Sequence, residues 1–213
     1  MKIKWLGHAT FAITSDEGVK IITDPIDNGD FFTYDKLDES ADIVTISHNH
    51  FDHCNVEAVK GDPEVVRYSA EVKGIRFKAI PSFHDMSQGE EHGRNTMFTI
   101  TLDGLTVFHP GDLGHPLSDS QVQEVGKVDI ILLPVGGHFT IDAKQADHLC
   151  EQLNPRVIIP MHFKTEKCNL PIAGVEEYLI GKENVEHPDT SEMVFSLNGL
   201  PSTPQVVLLQ DAL

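Results

Sequence analysis

The sequence predicts an α/β protein in which helices pack outside a core of two β-sheets. Three observations carry this. The first half alternates short β-branched or aromatic runs with turn residues, as hairpins do. The second half alternates such runs with helix-like segments, as sheets flanked by helices do. No linker, repeat or low-complexity tract interrupts the 213 residues, so a single domain over 1–213 is expected.

The elements follow in order. Lys2 to Leu6, Thr10 to Thr14 and Lys20 to Thr23 read as strands, with Ser15 to Gly18 as the turn closing the second hairpin. Residues Asn28 to Glu39 read as a polar loop pinned by Phe31, Phe32 and Tyr34. Ala41 to Ile46 is a buried strand, and Val56 to Lys60 a short helix stopped by Gly61-Asp62-Pro63. Strands are expected at Val65 to Tyr68, Ile75 to Ile80, Met97 to Leu102 and Leu105 to Phe108, the last two joined through Asp103-Gly104. Pro81 to Asn95 is polar and reads as a mobile loop over a site. Thereafter come a helix at Ser118 to Gly126, a strand at Val128 to Val135, and an amphipathic helix at Asp142 to Leu153 capped by Asp142. Arg156 to Pro160 is a strand, Ile172 to Ile180 a helix and Val206 to Leu209 a last strand.

Composition excludes several classes. A formal charge of −17, with no Lys/Arg run, argues against nucleic acid as a partner. No run of 18 apolar residues exists and the N-terminus enters a strand pattern directly, so a cytoplasmic protein off the membrane is expected. Cys54, Cys150 and Cys168 are odd in number and widely spaced, which indicates neither a disulfide framework nor a thiolate metal site. Oligomeric state is not legible, and a homo-oligomer remains open.

The chemistry concentrates in Ser47-His48-Asn49-His50-Phe51-Asp52-His53-Cys54-Asn55, directly after the Ala41 to Ile46 strand. Three imidazoles and a carboxylate within six residues sum their desolvation costs unless a cation offsets them, and these donors suit Zn, Mn and Fe. On extended backbone His48, His50 and Asp52 share one side and His53 points to another, so one loop can feed two ions. Three further candidates also stand at strand ends: His84, Asp112 and His162. Rigid strand ends are where a preorganised metal site places its ligands.

The succession Trp5-Leu6-Gly7-His8-Ala9-Thr10-Phe11, Thr23-Asp24-Pro25, His48-x-His50-x-Asp52-His53, His84, Gly111-Asp112-Leu113-Gly114 and Pro160-Met161-His162 resembles the metallo-β-lactamase fold superfamily. Within it, the branch of ascorbate-6-phosphate lactonase-like metal-dependent hydrolases is the nearest in pattern. The resemblance implies a four-layer αβ/βα sandwich with a dinuclear centre at one sheet edge. It places His48, His50 and His84 on one metal, Asp52, His53 and His162 on the second, and Asp112 between them. Asp24 would orient the His48 loop. Asp112, where thiolate relatives carry Cys, and His50, where diiron oxidoreductases carry Glu, favour hydrolysis over redox chemistry.

The expected cofactors are therefore two divalent ions, Zn first, with Mn, Fe or Ni as alternatives. Two such ions sharing a water lower its pKa from 15.7 toward about 7, which supplies hydroxide for attack on a small lactone, ester or phosphoester, including an anionic one. Asp52 is a candidate proton acceptor and His138, past Gly136-Gly137, a candidate substrate contact or proton donor. His8 and His109 either orient a ligand carboxylate or cap local backbone. His115, Asp85 and Asn95 are weaker candidates, and His92, His148 and His187 receive no role. Three alternatives stay open: a ribonuclease-like phosphodiesterase, a metal-binding sensor without turnover, and a redox role of the diiron kind.

Overall fold

A computed structural model describes all residues from Met1 to Leu213. Its strands are β1 (Lys2–Gly7), β2 (Thr10–Thr14), β3 (Lys20–Thr23), β4 (Ile43–Thr45), β5 (Glu64–Val66), β6 (Ala70–Val72), β7 (Ile75–Phe83), β8 (Arg94–Leu102), β9 (Leu105–His109), β10 (Ile130–Pro134), β11 (Val157–Met161), β12 (Val185–Glu186), β13 (Glu192–Val194) and β14 (Gln205–Val207). They form two sheets, in the orders β13-β1-β2-β3-β4-β5 and β12-β14-β11-β10-β9-β8-β7-β6. The helices are α1 (Asp119–Val125), α2 (Ala143–Leu153) and α3 (Val175–Leu179).

Period-2 alternation sorts the first sheet. Ile3, Trp5, Phe11, Ile13, Ile21 and Ile43 join the main core that the two sheets share. Their neighbours Leu6, Ala12, Ile22, Val44 and Ile46 face a second cluster with Phe32, Tyr34, Val59, Leu170 and Leu213. Irregular chain, a short 3₁₀ turn at Val56–Ala58 and the C-terminus thus cover this sheet's outer face. On the second sheet, β10 and β11 are buried at every residue, as strands covered on both faces must be. Ala146, Leu149 and Leu153 of α2 belong to the same core. The result is an α/β sandwich of two sheets, with helices packed on the outer face of the second.

Both longer helices begin with reciprocal capping boxes, Ser118 with Gln121 and Asp142 with Gln145. The Val56 helix shrinks to one 3₁₀ turn and the last helix to Val175–Leu179. Unforeseen are β6, β12 and β13, which are short and partly exposed, so little apolar periodicity marks them.

The expected loop from Pro81 to Asn95 is a correction. β7 runs through Pro81, which pairs with Thr96. The Thr96 N–H donates instead to the Ser47 carbonyl at 3.0 Å, so the pair is non-hydrogen-bonded and no N–H is required of Pro81. What remains between β7 and β8 is knotted rather than open. The Asp85 carboxylate accepts four backbone N–H groups, from Ser87 (2.8 Å), Gly89 (2.8 Å), Glu91 (3.1 Å) and His92 (2.8 Å). Desolvation pushes the Asp85 carboxyl up, but these donors hold it at about 2. A depressed pKa means the knot holds from neutral pH down through the ordinary carboxylate range and loosens as pH falls through about 2. Asp85→Asn should therefore speed hydrogen exchange at the Gly89, Glu91 and His92 amides at neutral pH.

No helix is long and apolar enough to cross a membrane. The cysteines are all unpaired, and burial pushes the Cys150 thiol up to about 12.

Candidate metal centre

Strand ends from both sheets converge on one rim. From the first sheet come His8 after β1, Asp24 after β3 and the His48 turn after β4; from the second come His84 after β7, Asp112 after β9 and His162 after β11. Several of these backbones are held in the left-handed region: His8 at φ +51°, Asp24 at +39°, His162 at +50°. His and Asp enter that region more readily than most side chains, and such strain clusters where surrounding structure enforces it.

Asp112, 2% exposed, is the hub. Its Oδ2 lies 3.0 Å from His84 Nε2, 3.1 Å from His162 Nε2, 3.2 Å from His53 Nε2 and 3.9 Å from His48 Nε2. On the far side of three of these rings, Nδ1 has a partner that can only accept or is itself committed. His84 Nδ1 donates to the Phe139 carbonyl at 3.0 Å, and His53 Nδ1 to Asp24 Oδ2 at 2.9 Å. His48 Nδ1 donates at 2.8 Å to Ser47 Oγ, whose own hydrogen goes to Asp24 Oδ2. In the neutral imidazoles these bonds place the proton on Nδ1 and leave the Nε2 lone pair free, aimed at the carboxylate in His53 and His84, while His48 Nε2 meets His50 Nδ1 at 3.0 Å.

Lone pairs facing an anion repel unless positive charge lies between them. Two observations fit a cation there. Asp112 Oδ1, His53 Nε2 and His162 Nδ1 are buried with no hydrogen-bond partner. Without the ion, protons take its part: although burial opposes it, Asp112 and its neighbours raise the His53 and His84 pKa values, and the imidazoles drive the Asp112 carboxyl well below the usual range against its own desolvation. Burial instead lowers His48 to about 3 and also lowers His50.

Three sets of donors have ligand atoms within 4.8 Å of one another: first His48, His50 and His84; second His8, His53 and His162; third Asp24, His48 and His53, in which Asp24 is already taken up by Ser47 and His53. Asp52 joins the second, 3.4 Å from His8 Nε2 and 3.8 Å from His53 Nε2. This corrects the extended-backbone expectation that Asp52 shares a side with His48 and His50. The chain turns there, with the His53 N–H bonded to the His50 carbonyl at 3.0 Å. Asp24 also corresponds to expectation in place: it accepts Ser47 N–H at 2.8 Å as well as Ser47 Oγ–H and His53 Nδ1–H.

The two undecided histidines separate. His109 is committed to local backbone, donating to Ala9 O at 3.0 Å and accepting from Gly111 N at 3.2 Å. His8 is fully buried against Asp52 and His162, its ring 4.0 Å from that of His162, and burial lowers its pKa to about 4. The weaker candidates prove to be scaffolding. Asn95 accepts the Asp112 N–H at 3.1 Å and donates to Ser82 and Pro110, so it fixes the hub rather than facing solvent. His115 accepts from Phe83 N–H and donates to Pro116 O. Gly111 belongs to this buttress, at φ +55° and with no room for a Cβ between Asn95 and Ser47.

His138 is exposed, with its ring against Phe139 at 4.4 Å, and no hydrogen bond or ring contact joins it to the cluster. Its neighbour's carbonyl, the acceptor for His84, is the functional atom of that loop, and a backbone acceptor leaves no sequence signal. His92, given no role from sequence, stands 5.4 Å from the His84 ring. Gly136 allows the close approach expected of it, since a Cβ there would overlap the His162 carbonyl oxygen. Gly136→Ala should lower stability by about 1 to 3 kcal/mol and weaken ion binding at His162, measured by thermal unfolding and zinc titration.

Such a fold, with imidazoles and carboxylates gathered at one sheet rim, defines a metal-dependent hydrolase. The family model for the beta-lactamase superfamily domain matches residues 2–162, and the chain belongs to the metallo-β-lactamase superfamily. Among its relatives, a UPF0173 metal-dependent hydrolase of Thermococcus onnurineus is 32% identical over 193 residues, covering 78% of this chain and 85% of the relative. Another, from Pyrococcus abyssi, is 30% identical over 195 residues with the same coverage. A Thermotoga maritima structure, provisionally assigned as a Zn-dependent hydrolase of this superfamily, aligns with TM-score 0.81 at 36% identity, covering 98% of this chain and 97% of that one.

Proposed function

We propose that this hydrolase works with two divalent ions, zinc in the first instance, on a small cytosolic lactone, ester or phosphoester. The carrying observation is the convergence of imidazole Nε2 atoms on Asp112 Oδ2, with the protons of His48, His53 and His84 anchored on Nδ1. In this reading His48, His50 and His84 hold one ion, Asp52, His53 and His162 the other, and Asp112 lies between. Bound divalent ions supply Lewis acidity toward the acceptor oxygen and an ionised water at neutral pH.

The chain's own residues do the rest. Asp24, Ser47 and the Phe139 carbonyl fix ring orientations, so the site loses little to reorganisation when it fills. Asp52, held by opposing imidazoles well below the usual carboxylate range despite desolvation, is an anion at neutral pH and can receive a proton. Its contact with His8 gives that proton a buried neighbour and fixes the carboxylate's direction. His138 stands outside this constellation, so it is retained only as a contact for the far end of a substrate. The acidic surface, with its −17 charge, suits a small molecule and not nucleic acid as partner.

The test is elemental analysis of natively purified protein, followed by chelation and restoration with Zn, Mn, Fe or Ni. Lactones, aryl esters and aryl phosphodiesters would serve as the substrate panel. Activity that disappears with chelation and returns with one metal is the expected result; undiminished turnover by the demetallated protein would overturn the reading.

A further inference from the structure

A cavity of about 1040 Å³ opens on the His48 and His50 side of the cluster. That volume is at the top of the range for small-molecule sites. Its walls carry two of the chain's arginines, Arg67 and Arg94, together with His92, and Tyr68 lies at its edge. None of its 16 lining residues is Asp or Glu, in a chain that has 33 of them. The cavity is thus locally cationic inside a strongly anionic molecule. A cleft of one charge sign concentrates ligands of the other.

Neither arginine is paired with a carboxylate. Arg67 makes one side-chain bond, Nη1–H to Asn49 Oδ1 at 2.7 Å, which leaves four of a guanidinium's five N–H donors unused. Arg94, at the start of β8, makes no side-chain hydrogen bond or ion pair and is exposed. Asn49 lies between His48 and His50, so Arg67 is tied directly to the turn that carries the candidate ligands. With 33 carboxylates on the chain, two arginines facing one cavity with none beside them are set up to receive an anion from outside.

We infer that Arg67 and Arg94 form a subsite for an anionic group, a carboxylate or a phosphate, carried by the small molecule that is hydrolysed at the Asp112 centre. The planar guanidinium fork matches either oxyanion with paired N–H donors. Half-buried His92, beside His84, adds a donor between subsite and centre. The anion would sit in the cavity while the scissile bond lies over the ligand cluster. This rests on the hydrolase reading only for where the bond is cleaved.

The experiment titrates zinc-loaded protein by calorimetry with glutarate and with methyl phosphate, for wild type, Arg94→Gln and the Arg67→Gln/Arg94→Gln pair. In parallel, kcat/KM is measured for the aryl monoester of glutarate and for the aryl ester of valerate, which lacks the charged tail. The expected result is binding of at least one anion that weakens ~tenfold or more in the double variant at unchanged zinc content, and a glutarate-to-valerate preference that falls by a comparable factor. The anion that loses more identifies the source of the charge. Arg94→Gln, altering an exposed and unpartnered side chain, should give part of the effect in a protein whose fold is not at issue. Equal binding of both anions by wild type and double variant, or no binding by wild type, overturns the subsite. If neither ester is cleaved while binding still depends on the arginines, the subsite stands and the proposed cleavage of such esters at the Asp112 centre fails. If the esters are cleaved with an unchanged preference, the reverse holds.

Discussion

Asp112→Ala is expected to empty both ion positions and to lower kcat/KM of metal-dependent hydrolysis by about 10³-fold or more, roughly 4 kcal/mol of transition-state stabilisation. The size of the effect follows from the hub geometry. One carboxylate oxygen lies within 3.0 to 3.2 Å of three imidazole nitrogens from three strand ends and 3.9 Å from a fourth. Removing it leaves the two groups of histidines with nothing shared between them. It also strips the counter-charge from His53 and His84, whose pKa values it raises, so these should titrate lower in the ion-free variant. Ion content by mass spectrometry and histidine titration by NMR check both halves. Retention of two ions with full activity would show that Asp112 is an ordinary buried acid.

The second large effect is expected at Asp24. It is completely buried, sits at φ +39° and accepts three donors, Ser47 N–H, Ser47 Oγ–H and His53 Nδ1–H. Asp24→Ala leaves all three unmet in the interior, at a cost of about 3 to 5 kcal/mol. For a chain of this size that lowers the unfolding midpoint by roughly 10 °C. Asp24→Asn separates folding from function. The amide keeps the volume, but its NH₂ facing His53 Nδ1 would drive that ring to the other tautomer, with its proton aimed at Asp112. Ion affinity should then fall about 10- to 100-fold with a smaller loss of stability. A variant that binds ions as wild type does would mean Asp24 serves only the backbone.

Much of this centre is legible in the sequence because its parts are residue types that rarely gather by accident and because each closes a recognisable strand. His48, His50, Asp52, His53, His84, Asp112 and His162 all follow β-branched or apolar runs, and the structure brings all seven side chains to one rim. Where the reading fails, backbone decides. Asp52 moves to the His53 side because the chain turns at His50, which alternation along an extended strand does not describe. The loop expected from Pro81 to Asn95 shrinks to residues 84–93 because Pro81 stands opposite a position whose N–H bonds to Ser47, and what remains is tied down by the four amides Asp85 gathers. The partner of His84 is the Phe139 main-chain carbonyl, which no residue type marks, while the adjacent His138 carries a conspicuous side chain that is exposed. Arg67 and Arg94 line one cavity because β5 and β8 both bond to the chain at the start of the His48 turn, through Val66 to Ile46 and Thr96 to Ser47, a matter of topology and not of spacing.

The central claim is that two ions flank the Asp112 carboxylate, held by the imidazoles and the Asp52 carboxylate gathered around it. Anomalous diffraction at the zinc edge from crystals of the zinc-loaded protein addresses it directly. Two peaks about 3.5 to 4 Å apart, one beside His48, His50 and His84 and the other beside Asp52, His53 and His162, are predicted. A single peak, or peaks remote from Asp112, would contradict it.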